Sequence, residues 1–448
     1  MEKATHAQRL AERFSKLKLN DVDRPSREAV KRLLMDYLGV AIAGSHSESG
    51  EIAQRFAREH GGKREASLIG DGARVDVTMA AFANAISSHS IELDDIDVLA
   101  LFHFSPPVYS AALAAAEYAG ADGRQLLTAL AAGCEMMERA SRATNPSLRN
   151  RGFHTTPTCG VFGATVAAGK LLKLSKDRLT SALGMAGAQA SGLMEMYGPS
   201  MQKRFNPGPT ARNGVTAARM AQLGFTGADT IFEGERGFLA AFSDSTDPEA
   251  LVADLKRPYE LLIEFKPYSC ARPIHNAIDC ALAVRAQGAA AKDVVKIDFL
   301  RHPDWAKYHQ NKAPRTYHEA QVSLPFSVAV ALIEGQALLK QYSDRNIRNT
   351  EVKRLMNATS IAEDASLPRG VSCRLTATMR DGRTLVSQVD YPKGSIQNAM
   401  SQAEMRAKFD SLAGPVVGAK RAAALAEQVM ALEKVADIGE LMKLTRGR

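Results

Sequence analysis

Apolar residues recur every three or four positions from about residue 5 to 260, with Ala and Leu dominant and Gly, Asp or Ser breaks between the runs. That spacing lines one face of an α-helix, and its repetition predicts a helical bundle. The clearest segments cover 26–43, 77–88, 107–118, 123–140, 161–172, 176–191 and 213–223. Asp122 and Ser175 stand just ahead of two of them, where a side-chain oxygen can accept the free amide hydrogens of a first turn. After about residue 265 the period shortens to two. Val295, Ile297 and Phe299 alternate with Lys296 and Asp298, and Leu375, Ala377 and Met379 alternate with Arg374, Thr376, Thr378 and Arg380, as half-buried strands do. Asp381-Gly382, followed by a β-prone run from Thr384 to Tyr391, predicts a hairpin closed by a primed turn. A helix is predicted over 323–334, and helical spacing returns after Ser401. The fold class that follows is mainly α with an α+β part: a large all-helical domain from residues 1–265 and 401–448, and a smaller α+β domain from 266–400.

Composition narrows the class. At 448 residues the chain exceeds the size at which one core stops growing. Its 45% apolar and 24% charged residues are those of a globular protein. The most apolar helical run, 108–121, is interrupted by Glu117 and falls short of the roughly 20 residues a membrane span needs, so no membrane role is expected. Met1 to His6 shows no secretory pattern. Five scattered cysteines without a Cys-x-x-Cys pair suit a reducing compartment, the cytoplasm, and offer no iron–sulfur or zinc-ribbon ligand set. A net charge of +8 is spread along the chain rather than gathered in a stripe. That distribution argues against nucleic acid and fits the steering of small anions toward a cleft.

Titratable residues gather beside turn-forming ones in five places. Glu92, Asp94 and Asp95 crowd three carboxylates into four positions, so that at least one must have a raised pKa or a cationic partner; an exposed acidic loop or a helix cap is the alternative. His103 follows, ahead of Pro106-Pro107, where a new helix starts and a histidine can face a cleft or pack against the helix start. His154 precedes Thr155, Thr156 and Thr158 at the start of an Ala-rich helix, a setting for an anion site or for a capping loop. Lys203 and Arg204 lie in a loop bracketed by Gly198, Pro199, Pro207 and Gly208, and can grip carboxylates there or remain solvated. Finally Lys266, Tyr268, Cys270, Arg272 and His275 crowd the predicted domain junction, where small-molecule sites are common. No helical His-x-x-x-His pair with an acidic neighbour marks a metal site, and no Walker A loop, Gly-x-Gly-x-x-Gly turn or Gly-x-Ser-x-Gly elbow is present.

In order along the chain, His89-Ser90-Ile91-Glu92-Leu93-Asp94-Asp95, the His154 loop, the 184–193 segment, Lys203-Arg204-Phe205-Asn206-Pro207-Gly208, Gly224-Phe225-Thr226-Gly227, Phe265-Lys266-Pro267-Tyr268, His275-Asn276-Ala277-Ile278-Asp279 and Ser323-Leu324-Pro325-Phe326 resemble the MmgE/PrpD family over nearly the whole length. The resemblance implies a helical domain built from both chain ends with a smaller α+β lid, a homodimer, and metal- and cofactor-independent chemistry on small polycarboxylates. The activities known in such a family are 2-methylcitrate dehydration, cis-aconitate decarboxylation and iminodisuccinate epimerisation. It implies catalytic roles for His103, His154, Lys203, His275, Glu92 and Asp95, and substrate contacts from Asp94, Arg204, Lys266, Tyr268 and Arg272. The family's acidic turn usually reads Asp-Phe-Asp-Asp-Thr; here Glu92 is longer by a methylene and Ile96 lacks a hydroxyl. A reach changed by about 1.5 Å can cost orders of magnitude in a positioned proton transfer, which counts against cis-aconitate decarboxylation. The expectation is a lyase that removes a proton next to a carboxylate, dehydratase-like, with His103 paired to Glu92 or Asp95. An epimerase, a decarboxylase or a catalytically silent metabolite-binding member are the alternatives.

Overall fold

Helices Arg24–Gly44, Val77–His89, Ser105–Ala119, Gly123–Arg142, Thr155–Leu171 and Pro207–Gln222 form the body of the first half of the chain in the computed structural model, which describes residues 4–98, 102–196, 200–257 and 259–447. Asp122 and Ser175 do cap the helices they precede, accepting from the backbone of Gln125 and Arg178. Small residues let the central helices approach closely. A Cβ placed on Gly163 would lie 2.6 Å from the Gly133 carbonyl oxygen and 2.9 Å from Met137, so the 123–142 and 155–171 helices touch backbone to backbone.

Two helices were longer than their apolar spacing indicated. The 155–171 helix begins six residues before Val161, through Thr155, Thr156, Pro157 and Gly160, and Pro207–Gln222 begins six before Asn213, through Pro207 and Pro209. Proline in a first turn gives up an amide that has no helical partner, so both starts are sound although no apolar period announces them. At the other extreme, the run beginning at Lys176 ends at Gly187 rather than continuing to 191.

In the second half, a four-stranded sheet is ordered Thr359–Glu363, Val294–Arg301, Cys373–Met379, Thr384–Val389, with the first pair parallel and the others antiparallel. Ile297, Phe299, Leu375 and Ala377 are buried beneath helices His275–Ala286, Leu324–Glu334 and Thr350–Asn357. Val295 departs from the predicted alternation. A register shift between Val294 and Lys296 turns Val294 inward and leaves Val295 exposed. The hairpin forms, but its turn is not primed. Gly382 alone has positive φ (86°), and its amide bonds back to the Met379 carbonyl, the pattern of a type I turn followed by a left-handed glycine.

Buried apolar side chains fall into two main clusters. One runs from Ala7 to Phe265 and resumes from Met400 to Met442; the other runs from Cys270 to Met379. Helices Gln402–Val417 and Ala419–Met430 account for the resumption, with Phe409 packed on Gly39 of the 24–44 helix. We propose that the two clusters are the cores of two domains. Among the described residues no helix is long and apolar enough to cross a membrane.

Candidate active site

After the 77–89 helix ends, the chain turns sharply. Ile91 and Leu93 are buried with Val40 and Leu412 in a small apolar cluster, and Glu92, between them, takes a left-handed backbone (φ 55°) that is uncommon for any residue but glycine. Its carboxylate is wholly buried and meets three cations. Lys203 Nζ and Arg204 Nη1 bond to Oε1, while Lys266 Nζ lies 3.2 Å from Oε2 and 3.4 Å from the Glu92 carbonyl. Burial pushes the Glu92 carboxyl up, but Lys203, Arg204 and Lys266 outweigh it and hold the group well below the usual carboxylate range.

The other two carboxylates have separate tasks. Asp95 accepts from the backbone amides of Phe104 (2.7 Å) and Ser105 (3.1 Å), so both its oxygens are engaged at the start of the 105–119 helix. Burial, with Asp94 adding to it, raises its pKa to about 7. Asp94 sits between two imidazoles: its Oδ2 is 2.7 Å from His89 Nδ1 and 3.1 Å from His103 Nδ1, and its Oδ1 is 3.7 Å from Lys266 Nζ. The carboxylate partner of His103 is therefore Asp94, not Glu92 or Asp95; from Asp95, His103 takes only the backbone carbonyl, which also bonds to Nδ1.

Those partners fix proton positions. Both groups at His103 Nδ1 can only accept, so Nδ1 carries the hydrogen and Nε2 keeps a lone pair. His154 is the reverse. Asn206 Nδ2 lies 3.0 Å from His154 Nδ1 and 3.3 Å from Met196 Sδ, an amide nitrogen facing two acceptors, which leaves the hydrogen of His154 on Nε2. Burial holds both rings neutral, pushing His103 down to about 3 against the pull of Asp94 and His154 well below its ordinary value. The two loops are tied together where the His103 amide donates to Thr156 Oγ1 (3.1 Å). The Thr158 hydroxyl is committed internally, donating to the His154 (2.9 Å) and Ser191 (3.0 Å) carbonyls, whereas Thr156 Oγ1 only accepts.

Lys203 lies on a short helix, Gln202–Phe205, that runs directly into Pro207–Gln222; Gly198 and Pro199 of the predicted bracket lie outside the described residues. Burial lowers the Lys203 pKa to about 8, with Glu92 opposing and Arg204 and Lys266 adding. Its side chain keeps 12% exposure and that of His103 keeps 9%, against 4% or less for Arg204, Lys266, Glu92, Asp94 and His89. The cluster therefore meets solvent at Lys203 and His103. Arg204 also donates to Gln321 Oε1 (3.2 Å), and Gln321 Nε2 holds the Ile91 carbonyl (3.0 Å).

The remaining sequence candidates have partners elsewhere. Tyr268 donates its phenol to Asp279 (2.5 Å), and Arg272 grips Glu264 through Nε (3.0 Å) and Nη2 (2.6 Å). His275 is fully buried against the Tyr268 ring, with Nε2 donating to the Cys270 carbonyl (3.2 Å) and Nδ1 without a partner among the described residues; its pKa is far depressed by burial, with Arg272 and Lys266 adding. Sequence reasoning missed His89, Asn206 and Gln321, although His89 and Asn206 lie within segments it singled out. His89, Asp94 and His103 are metal-ligand types with atoms inside 4.8 Å of one another. Both imidazoles, however, give their Nδ1 hydrogens to the site's acceptors, and the Lys266 ammonium already stands beside the same carboxylate, a poor setting for a further cation.

Three buried cations around one carboxylate, beside neutral imidazoles of opposite tautomer, form an arrangement able to carry out acid–base chemistry on anionic small molecules. The MmgE/PrpD N-terminal domain matches residues 8–251 and the MmgE/PrpD C-terminal domain residues 268–434, so the chain belongs to the MmgE/PrpD family. It is 28% identical to the cis-aconitate decarboxylase-like protein oryM of Aspergillus oryzae, over 97% of this chain and 95% of that one. Identity to cis-aconitate decarboxylase is 26% both for Aspergillus terreus, over 96% of this chain and 94% of the relative, and for Homo sapiens, over 93% and 89%.

Proposed function

We propose that this chain is a cofactor-independent lyase acting on a small polycarboxylate by removing a proton from the carbon next to a carboxylate. The observation that carries the reading is the set of partners at His103 Nδ1 and His154 Nδ1, which assigns opposite tautomers, His103 with a free Nε2 and His154 with Nε2–H, beside the Lys203–Glu92 ion pair. His103 Nε2 takes the proton. Lys203, backed by Arg204 and Lys266, stabilises the negative charge that builds on the substrate carboxylate as the proton leaves. A bound polycarboxylate also raises the His103 pKa from its depressed value, because an anion nearby favours the imidazolium. Lys203, with a pKa near 8, is the proton donor for a departing group, and the neutral His154 supplies a hydrogen bond to that group from Nε2–H.

Elimination of water from a 2-methylcitrate-like acid uses every part of this arrangement: a base, a cationic cradle for the enolate and a proton donor for the hydroxyl. Decarboxylation is the second reading, favoured by the cis-aconitate decarboxylases among the relatives. Proton NMR in D₂O with citrate-, aconitate- and iminodisuccinate-like acids separates them. A new alkene from a hydroxy acid marks dehydration, release of carbon dioxide marks decarboxylation, and deuterium wash-in alone marks an epimerase. All should vanish in Lys203→Ala. No exchange with any of these acids would overturn the reading and leave a metabolite-binding family member.

A further inference from the structure

We propose that His89 is a positioning residue that holds the Asp94 carboxylate against His103. The inference rests on the reading of His103 as base, but its test does not depend on turnover. His89 ends the buried 77–89 helix and is itself fully enclosed, so it touches no substrate. Its Nε2 has no hydrogen-bond partner among the described residues, a cost that an apolar side chain of similar size would avoid. What the imidazole supplies is the Nδ1–H bond to Asp94 Oδ2 at 2.7 Å, on the same oxygen that lies 3.1 Å from His103 Nδ1. The two rings stand edge to face, 5.0 Å between centroids, with the carboxylate as their common partner.

The Asp95 carbonyl is enough to mark His103 Nδ1 as the protonated nitrogen. A carboxylate adds charge, which stabilises the imidazolium formed when Nε2 takes a proton. Asp94 has a competing attraction, the Lys266 ammonium 3.7 Å from its Oδ1, and Lys203 also acts on the His103 ring. Without the His89 bond the carboxylate is free to close on Lys266 and leave His103 with the carbonyl alone.

Histidine-selective ¹⁵N NMR of the full chain tests this directly. Wild type should show His103 protonated at Nδ1, with its proton shifted downfield by the carboxylate. In His89→Leu that resonance should move upfield, and kcat on the reacting acid should fall about 10- to 100-fold with KM little changed, the loss usual when an outer partner is removed. His89→Asn, whose amide nitrogen stands near the place of Nδ1, should restore both; His89→Gln, which carries it at the place of Nε2, should restore neither and replaces the leucine variant if that one does not fold. A His103 protonated at Nε2, an Nδ1 resonance that ignores both substitutions, or a rate loss the asparagine does not rescue overturns the assignment. A correct resonance pattern in a protein inactive on every acid would sustain His89 while sinking the proposed lyase.

Discussion

Glu92 is the residue on which the site's electrostatics turn. A carboxylate removed from water is tolerable only where cations replace the lost hydration, and here three do. Because its pKa is lowered in the folded state, its stabilisation is complete above the ordinary carboxylate value of 4.5 and is lost as the pH falls below that. Glu92→Gln should cost about 3–5 kcal/mol, the scale for breaking a buried ion pair, in urea unfolding at pH 7, and the gap to wild type should shrink toward pH 3. Lys203 responds in the opposite pH range. Its ammonium is lost as the pH rises through about 8, so kcat/KM should decline on an alkaline limb near pH 8. Removing Glu92 takes away the charge that holds the Lys203 pKa up, so the limb should move to lower pH in Glu92→Gln; Lys203→Arg, which does not titrate, should abolish it. The density of acids at 92–95 and of cations at 203–204 was visible in the chain. That Glu92 answers Lys203 was not, because a pairing across more than a hundred residues depends on how helices stack. Likewise, periodicity flags Asp95 as acidic but does not show that its oxygens face the amides of Phe104 and Ser105.

Helices bring these residues together, and the element that matters most is 155–171. It carries His154 at its start and lies against the 123–142 helix so closely that Gly133 and Gly163 sit on each other's carbonyls. Gly163→Ala should therefore force the helices apart, destabilising by about 1–3 kcal/mol as overpacking does, with a lower Tm by calorimetry. Since Thr156 receives the His103 amide, the same variant should lose activity at temperatures where it is still folded. Helix centres were legible from the 3.6-residue period, whereas the starts at Thr155 and Pro207 were hidden. The chemistry needs those starts. Polar, β-branched and proline residues place His154 and Asn206 at helix beginnings, and an apolar period cannot register them. The sheet shows the complementary failure: alternation located the 294–301 strand but missed the register shift that turns Val295 out.

Across the whole molecule, the site joins the two apolar clusters. His89, His103, His154 and Lys203 come from segments of the first, Glu92 and Asp94 from the turn of the small Ile91–Leu93 cluster, while Lys266 leads into the second and Gln321 reaches back from it to the Ile91 carbonyl. Mainly helical with a small sheet was readable from the change of period near residue 265. The joint was not, because it consists of ion pairs and hydrogen bonds between residues far apart in the chain. The homodimer that the family resemblance implies is likewise a proposal, and light scattering should return twice the chain mass. A ligand held at the joint should stabilise both clusters together. A citrate-like acid at about 100 times its Kd should add about 2.7 kcal/mol to unfolding, seen as one transition moving up in temperature. In Lys203→Ala the shift should disappear, since the cation nearest the solvent opening is gone. Sodium chloride of equal ionic strength should not reproduce it, because screening weakens exposed pairs and leaves these buried ones largely unaffected. If the acid shifts only part of a split transition, the joint between the clusters is not where it binds.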